Sequence, residues 1–318
     1  MKLLHKPSLE AFIQTCTPLA IIPTLEAEMQ HRVANIASSL LTYQPNDDPV
    51  SNLARFFQSD RDFLGIALSL TNLSQEKFLR ILSAERFAHS DFGTEWGINK
   101  VHDKIRHETG FAERIAQLFI DGRTNSLLAD QVAAFYLDQI VLPTNWEQLI
   151  RSADFVQNVI RRKLAGEYTD KKGDTIEAII RQYLDEISEK YGVPHKKGQI
   201  RLVQTEVDHA LPSLDDPYVL IMTSYLETTS SGQTQRANSQ SSMYTRVQEE
   251  NRRYAEDRAF VNFVDGGGWL ARRTDLRKLH AGCDYIINLK TLDRLEAIIC
   301  KHIPARYFTK QPRPIVEG

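Results

Sequence analysis

The sequence predicts an α/β protein, with an α/β core towards the C-terminus and a mostly helical region before it. Three observations carry this expectation. Residues 173–268 read in order as helix, strand, short turn, strand, polar helix and strand. Apolar residues in the first 165 positions recur at helical spacing. Clusters of Gly, Pro, Asn and Asp punctuate both regions where turns are needed. Two domains are therefore expected, a helical one over residues 1–165 and an α/β one over residues 166–318.

The helical region offers candidate helices at residues 24–41, 50–57, 61–68, 74–85, 110–120, 126–140 and 146–165. Breaks fall at TYQPNDDP, HSDFGTEWG, DGRTN and VLPTN. No internal repeat is visible. His102, His107 and Glu108 lie close in sequence, but their spacing is not H-E-x-x-H and gives no single face, so structural or solvated histidines are expected.

The α/β region opens with GDTIEAIIRQYLDEISEKYGVP, read as a helix from Asp174. Asp174 with Glu177 three residues later forms a capping box. Ile176, Ile179, Ile180, Tyr183, Leu184 and Ile187 form one apolar face, and Gly192 and Pro194 end the helix. Glu177 sits at the edge of that face. The next segment, QIRLVQTEVDHALP, is read as one strand over residues 199–209. On it Gln204, Glu206 and Asp208 share a face at period two. Two carboxylates on one face of a central strand are costly to bury without a cation or hydrogen bonds. A hard divalent cation such as Mg2+ takes oxygen ligands and needs only one or two carboxylates. Asp208 is the leading candidate ligand; a solvent-exposed strand end is the alternative.

After the turn SLDDP comes the apolar strand YVLIMTSY, which opens into the polar run ETTSSGQTQR. Ser, Gln, Asn and Arg side chains are those that reach phosphates and base edges. Ser230, Ser231, Gln233, Gln235, Arg236 and Asn238 are therefore candidate DNA contacts, on a helix expected to start near Gly232. A solvated loop is the competing explanation. Further on, AFVNFVDGGGWLARRTDLRKL reads as a strand, a tight glycine turn and a basic helix over residues 270–280. Arg273 and Arg277 share one face of that helix, with Leu276 and Leu279 on another. The glycines match no phosphate-binding motif, and a tight turn accounts for them.

Taken together, these segments resemble the PD-(D/E)XK nuclease superfamily, and within it type II restriction endonucleases of the Mbo/Dpn group. The likeness rests on the helix, the Asp208 strand, the serine- and glycine-rich run, the Gly-Trp turn and the closing CDYIINLKTLDRLEAII; it covers about the last third of the chain. It implies a restriction-endonuclease-like mixed-sheet core that cuts double-stranded DNA at specific sequences with Mg2+, within a restriction-modification system. It further implies a homodimer, with the helical domain serving recognition or dimerisation. Asp208 and Glu206 would bind the metal, and Asp208, Glu177, Glu227 and Lys197 would carry the chemistry. The second strand departs from the family pattern: where an acid, a spacer and Lys belong, Met222, Thr223 and Ser224 stand. The second acid must then come from Glu177, Glu206 or Glu227, or from Asp215 and Asp216, and the cation from Lys196 or Lys197. Glu227 would need a bulge to reach the face of Asp208. The alternative reading is a DNA-binding protein that keeps the fold and has lost cleavage.

Bulk composition agrees with a soluble cytoplasmic protein. Its 318 residues (36.4 kDa) carry a net charge of −2, so any attraction to DNA must be local. The three cysteines, Cys16, Cys283 and Cys300, have neither metal nor disulfide spacing. No apolar run is long enough for a membrane span, and the opening residues are interrupted too early for a signal peptide.

Overall fold

The computed structural model describes residues 4–45, 48–88, 90 and 94–313. It divides into two units, Pro23–Tyr168 and a discontinuous one made of Met1–Ile22 with Thr169–Gly318. The first helix, α1 (Leu9–Thr15), therefore belongs with the C-terminal residues.

The unit Pro23–Tyr168 is helical throughout its described residues. It holds α2 (Pro23–Thr42), α3 (Pro49–Ser59), α4 (Phe63–Leu70), α5 (Gln75–Ala88), α6 (Ile98–His107), α7 (Phe111–Asp121), α8 (Ala134–Ile140) and α9 (Trp146–Leu149). The start of α10 (Ala153–Tyr191) completes it. Helix α3 begins as its sequence dictates: Pro49 stands in the first turn, and the Asp48 carboxylate accepts from Val50 and Ser51 N–H. An aromatic cluster fills the core, with Phe56 and Phe63 stacked at 4.4 Å between ring centroids and Trp146 at 5.0 Å from Phe56. Two expected helices are broken. The segment 126–140 runs in turns until Ala134, because the Asn125 side chain accepts from Leu127 N–H and starts a turn instead. The segment 146–165 stops at Leu149 and restarts at Ala153. Helix α6 has only Val101 and Ile105 as fully buried residues, too short a stripe to stand out in the sequence.

The second unit is built on a sheet of β1 (Lys196–Ile200), β2 (Thr205–Leu211), β3 (Val219–Tyr225), β4 (Ala259–Asp265) and β5 (Tyr285–Ile287), in that spatial order. The first three strands form an antiparallel meander, while β3, β4 and β5 are parallel. Parallel neighbours need a crossover. Helix α11 (Gln233–Tyr254) supplies it between β3 and β4; α12 (Gly267–Ala271) and α13 (Arg273–Ala281) supply it between β4 and β5, and α14 (Arg294–His302) closes the unit. All seven residues of β4 are buried, as befits a central strand covered on both faces. This is a mixed α/β core of the kind the sequence predicts.

Two local expectations are overturned. Helix α10 does not begin at Asp174. It runs unbroken from Ala153 through Gly166 and Gly173, so Asp174 and Glu177 lie mid-helix and form no capping box. A glycine in a helix costs only ~1 kcal/mol relative to Ala, less than the continuous run of hydrogen bonds and the buried Ile176, Ile180 and Leu184 return. Nor is 199–209 one strand. The chain turns at residues 201–204, with Gln204 at φ 57°, and Glu206 pairs back with Gln199. Gln204 therefore shares no strand face with Glu206 and Asp208.

The N-terminal segment is tied into this unit. Phe12 and Cys16 sit in its core beside Phe260, Val264 and Trp269. The buried Asp265 accepts from the N–H groups of Thr17 (2.6 Å), Gly266 (2.9 Å) and Leu289 (3.1 Å). Asn288 donates to the Thr15 hydroxyl at 2.7 Å, and Gly267 N–H donates to the Pro18 carbonyl. The glycine turn is required for close packing. Gly266 has φ 102°, and a Cβ there would stand 2.2 Å from the Leu226 carbonyl oxygen.

Candidate active site

A cavity of about 580 Å³ opens at the C-terminal end of β3, where crevices of α/β sheets bind ligands. Helix α10 contributes Asp170, Asp174 and Glu177, β2 contributes Asp208, β3 contributes Met222 to Tyr225, and α11 contributes Arg236 and Gln240. The three helical acids follow from the unbroken α10: positions 170, 174 and 177 are spaced by four and three, so they share a face. A helix starting at residue 174 hides that stripe, and for this reason Asp170 and Asp174 escape the sequence reading.

Asp208 is held at the edge of the strand ladder. Its Oδ2 accepts from Thr223 N–H at 2.7 Å and from the Thr223 hydroxyl at 3.0 Å. Its Oδ1 faces Lys197 Nζ at 3.7 Å, where the lysine is more than half exposed. The carboxylate is thus oriented by the neighbouring strand and keeps one oxygen towards solvent. Next to it, His209 Nδ1 lies 3.3 Å from His195 Nδ1, and His195 Nε2 bonds Asp185 at 2.8 Å. Burial, and then the His195 charge, hold the His209 imidazole down at about 4, so it is neutral near pH 7.

The other expected site residues are dispersed. Glu206 is exposed on β2 and does not line the cavity. Glu227 is engaged elsewhere: its Oε1 accepts from the buried Lys172 at 2.7 Å and from the Tyr225 hydroxyl at 2.6 Å. No bulge in β3 turns it, since β3 stays in regular register with β4 up to Tyr225 and Asp265. Burial and the bond to Glu227 push the Tyr225 hydroxyl up, and that hydroxyl also accepts from Ala20 N–H. Asp216 is held below the usual carboxylate range by Arg258 and Tyr307 against the pull of burial, and lies in a separate cluster.

The polar segment sorts into two groups. Ser230, Ser231, Gln235, Arg236 and Asn238 are exposed, and Asn238 accepts from Lys278 at 3.0 Å. Gln235 and Arg236 line a second hollow of about 260 Å³, which shares Met222, Arg236 and Gln240 with the first. Gln233 is fully buried instead. Its Oε1 accepts from Ser230 N–H and its Nε2 donates to the Gly268 carbonyl, both at 2.9 Å. As placed, it ties the helix start to the glycine turn and offers nothing to a ligand. Arg236 Nη1 donates to Ser224 Oγ at 3.1 Å, so a cation from α11 stands beside the strand position where the sequence carries only serine.

Residues 150–297 match the DpnII restriction endonuclease family model. The C-terminal region is of the DpnII restriction endonuclease type. The matched span contains every element that lines the cavity, from α10 to β4. No curated protein and no solved structure matches the chain significantly. Among the described residues no three His, Cys, Asp or Glu side chains are grouped to hold a metal ion by themselves, and no helix is long and apolar enough to cross a membrane. The carboxylates at the cavity still suit one class of cation. Mg2+ keeps several waters and is held by one or two carboxylates together with substrate phosphates, not by an all-protein cage.

Proposed function

We propose that the chain is a sequence-specific type II endonuclease that hydrolyses phosphodiester bonds of double-stranded DNA with Mg2+, acting as a homodimer. One observation carries the reading: the Asp208 carboxylate, the acids of α10 and the Arg236 guanidinium converge on one cavity at the end of β3, inside the span that matches restriction endonucleases. In this reading Asp208 holds the cation, with Asp174 or Glu177 as the second carboxylate. Bound there, Mg2+ would lower the pKa of a coordinated water and offset charge on the phosphate. The water oxygen forms a bond to phosphorus as one ester P–O bond breaks; one water proton ends on the leaving alkoxide and the other stays with the new phosphate. Lys197 steadies Asp208 from the solvent side. Ser230, Ser231, Gln235 and Asn238, exposed at the start of α11 and just before it, are suited to phosphate and base-edge contacts. Glu227 and Glu206 have no part in this site, the first being spent on Lys172.

A non-cleaving DNA-binding protein is the second reading, favoured by the neutral Met222 and Ser224 on β3. Incubating mixed-sequence DNA with the protein, with and without Mg2+, separates the two. Discrete Mg2+-dependent fragments are expected, and gel retardation without fragments would favour the binder. Asp208→Asn keeps acceptors for both Thr223 donors, so its melting temperature should stay near wild type while cleavage is lost. Undiminished cutting by this variant removes Asp208 from the mechanism.

A further inference from the structure

Two groups on α11 have polar capacity that the fold leaves unused. Arg236 lines the acidic cavity yet forms no ion pair among the described residues; its one hydrogen bond is to a neutral serine. Gln240, one turn further along, is 2% exposed and lines both hollows, and its buried Oε1 has no hydrogen-bond partner. A buried acceptor left unpaired destabilises the fold, so its presence calls for a donor that arrives from outside. The depth of Gln240 selects that donor. A base edge carried by a duplex cannot enter so far, whereas a water molecule, the smallest donor, reaches Oε1 with only a small shift of the side chain. Phosphate oxygens are acceptors only and cannot satisfy an amide oxygen.

We propose that Arg236 and Gln240 together supply what β3 lacks: Arg236 binds the phosphate that is cut, and Gln240 Oε1 accepts a hydrogen bond from the attacking water and aims it. The proposal rests on the endonuclease reading. Arg236 is then a catalytic residue, donating to non-bridging oxygens whose charge grows as water oxygen bonds to phosphorus and the ester bond breaks. Gln240 is a positioning residue. Its amide takes no proton; both water protons go to the leaving alkoxide and the product phosphate, as above.

The signature is a split between stability and rate. Gln240→Met fills the same volume without an unpaired oxygen, so its melting temperature should equal or exceed that of wild type. Its kcat on mixed-sequence plasmid DNA with Mg2+ should fall at least tenfold, with KM nearly unchanged. Arg236→Ala should lose ~10²-fold in kcat, the usual loss for a donor at a developing oxyanion. Arg236→Lys should recover part of it, since an ammonium keeps the charge but not the planar fork. If Asp208→Asn is dead while Gln240→Met and Arg236→Ala cut like wild type, the proposal falls and the endonuclease reading stands. If wild-type protein cuts nothing, that reading and the water role fall together. Arg236 is then decided by binding to a labelled random-sequence 30-base-pair duplex: unchanged affinity and salt dependence in Arg236→Ala overturn its phosphate contact.

Discussion

At the scale of single residues, the same amino-acid type serves opposite ends within one helix turn. Gln233 and Gln235 look alike in the sequence, both polar and both in a run rich in hydroxyls and amides. Gln233 nevertheless closes two hydrogen bonds in the interior, to Ser230 N–H and the Gly268 carbonyl, while Gln235 faces the hollow beside Arg236. Removing both bonds at a buried position should cost ~1–3 kcal/mol, so Gln233→Ala should melt well below wild type. Gln235→Ala, exposed, should stay within ~0.5 kcal/mol. Equal melting temperatures for the two variants would show that the Gln233 bonds contribute nothing net. Composition cannot make this distinction. Only the return of the chain through β4 and the glycine turn brings an acceptor, Gly268, to Gln233. Asp208 was legible for the opposite reason, because a carboxylate in an apolar strand announces its own solvation problem.

At the scale of elements, the sequence revealed the order and type of nearly every piece of the core, and missed where pieces join. The stripe from Ile176 to Ile187 is legible from periodicity, β3 and β4 from their apolar runs, and the polar α11 from its place after β3. Two departures have one origin: tertiary setting overrides local turn chemistry. Gly173 with Asp174 reads as a helix start, yet the helix runs on, and 199–209 reads as a strand, yet it folds into a hairpin. The unbroken helix is what brings Asp170 and Asp174 to the site. Its continuity is measurable. A Cβ at Gly173 would meet no atom within 4 Å, so Gly173→Ala should raise stability by ~0.5–1 kcal/mol, as in any helix interior. Were Asp174 an N-cap, Asp174→Ala would cost ~1 kcal/mol. Here it should cost a few tenths at most, and chemical denaturation of both variants distinguishes the cases.

At the scale of the whole molecule, balanced charge conceals how the polar groups are grouped, with the acids of α10 and Arg236 of α11 lining one cavity. Cys16, Cys283 and Cys300 are free and buried, and burial pushes the first two up to about 12 and the third to about 11. All three should therefore resist a thiol-specific reagent at pH 8 in the native protein and react together once denatured. Labelling of a single cysteine in native protein would show that its surroundings open. The anchoring of the N-terminal segment has a consequence in time. Residues 8–20 are made well before their partners Asp265 and Asn288, so the intervening helical unit has the chance to fold in between. Phe263, the last residue to line the cavity, also arrives late. On the endonuclease reading, a ribosome-bound chain lacks a complete cavity until synthesis has passed Phe263.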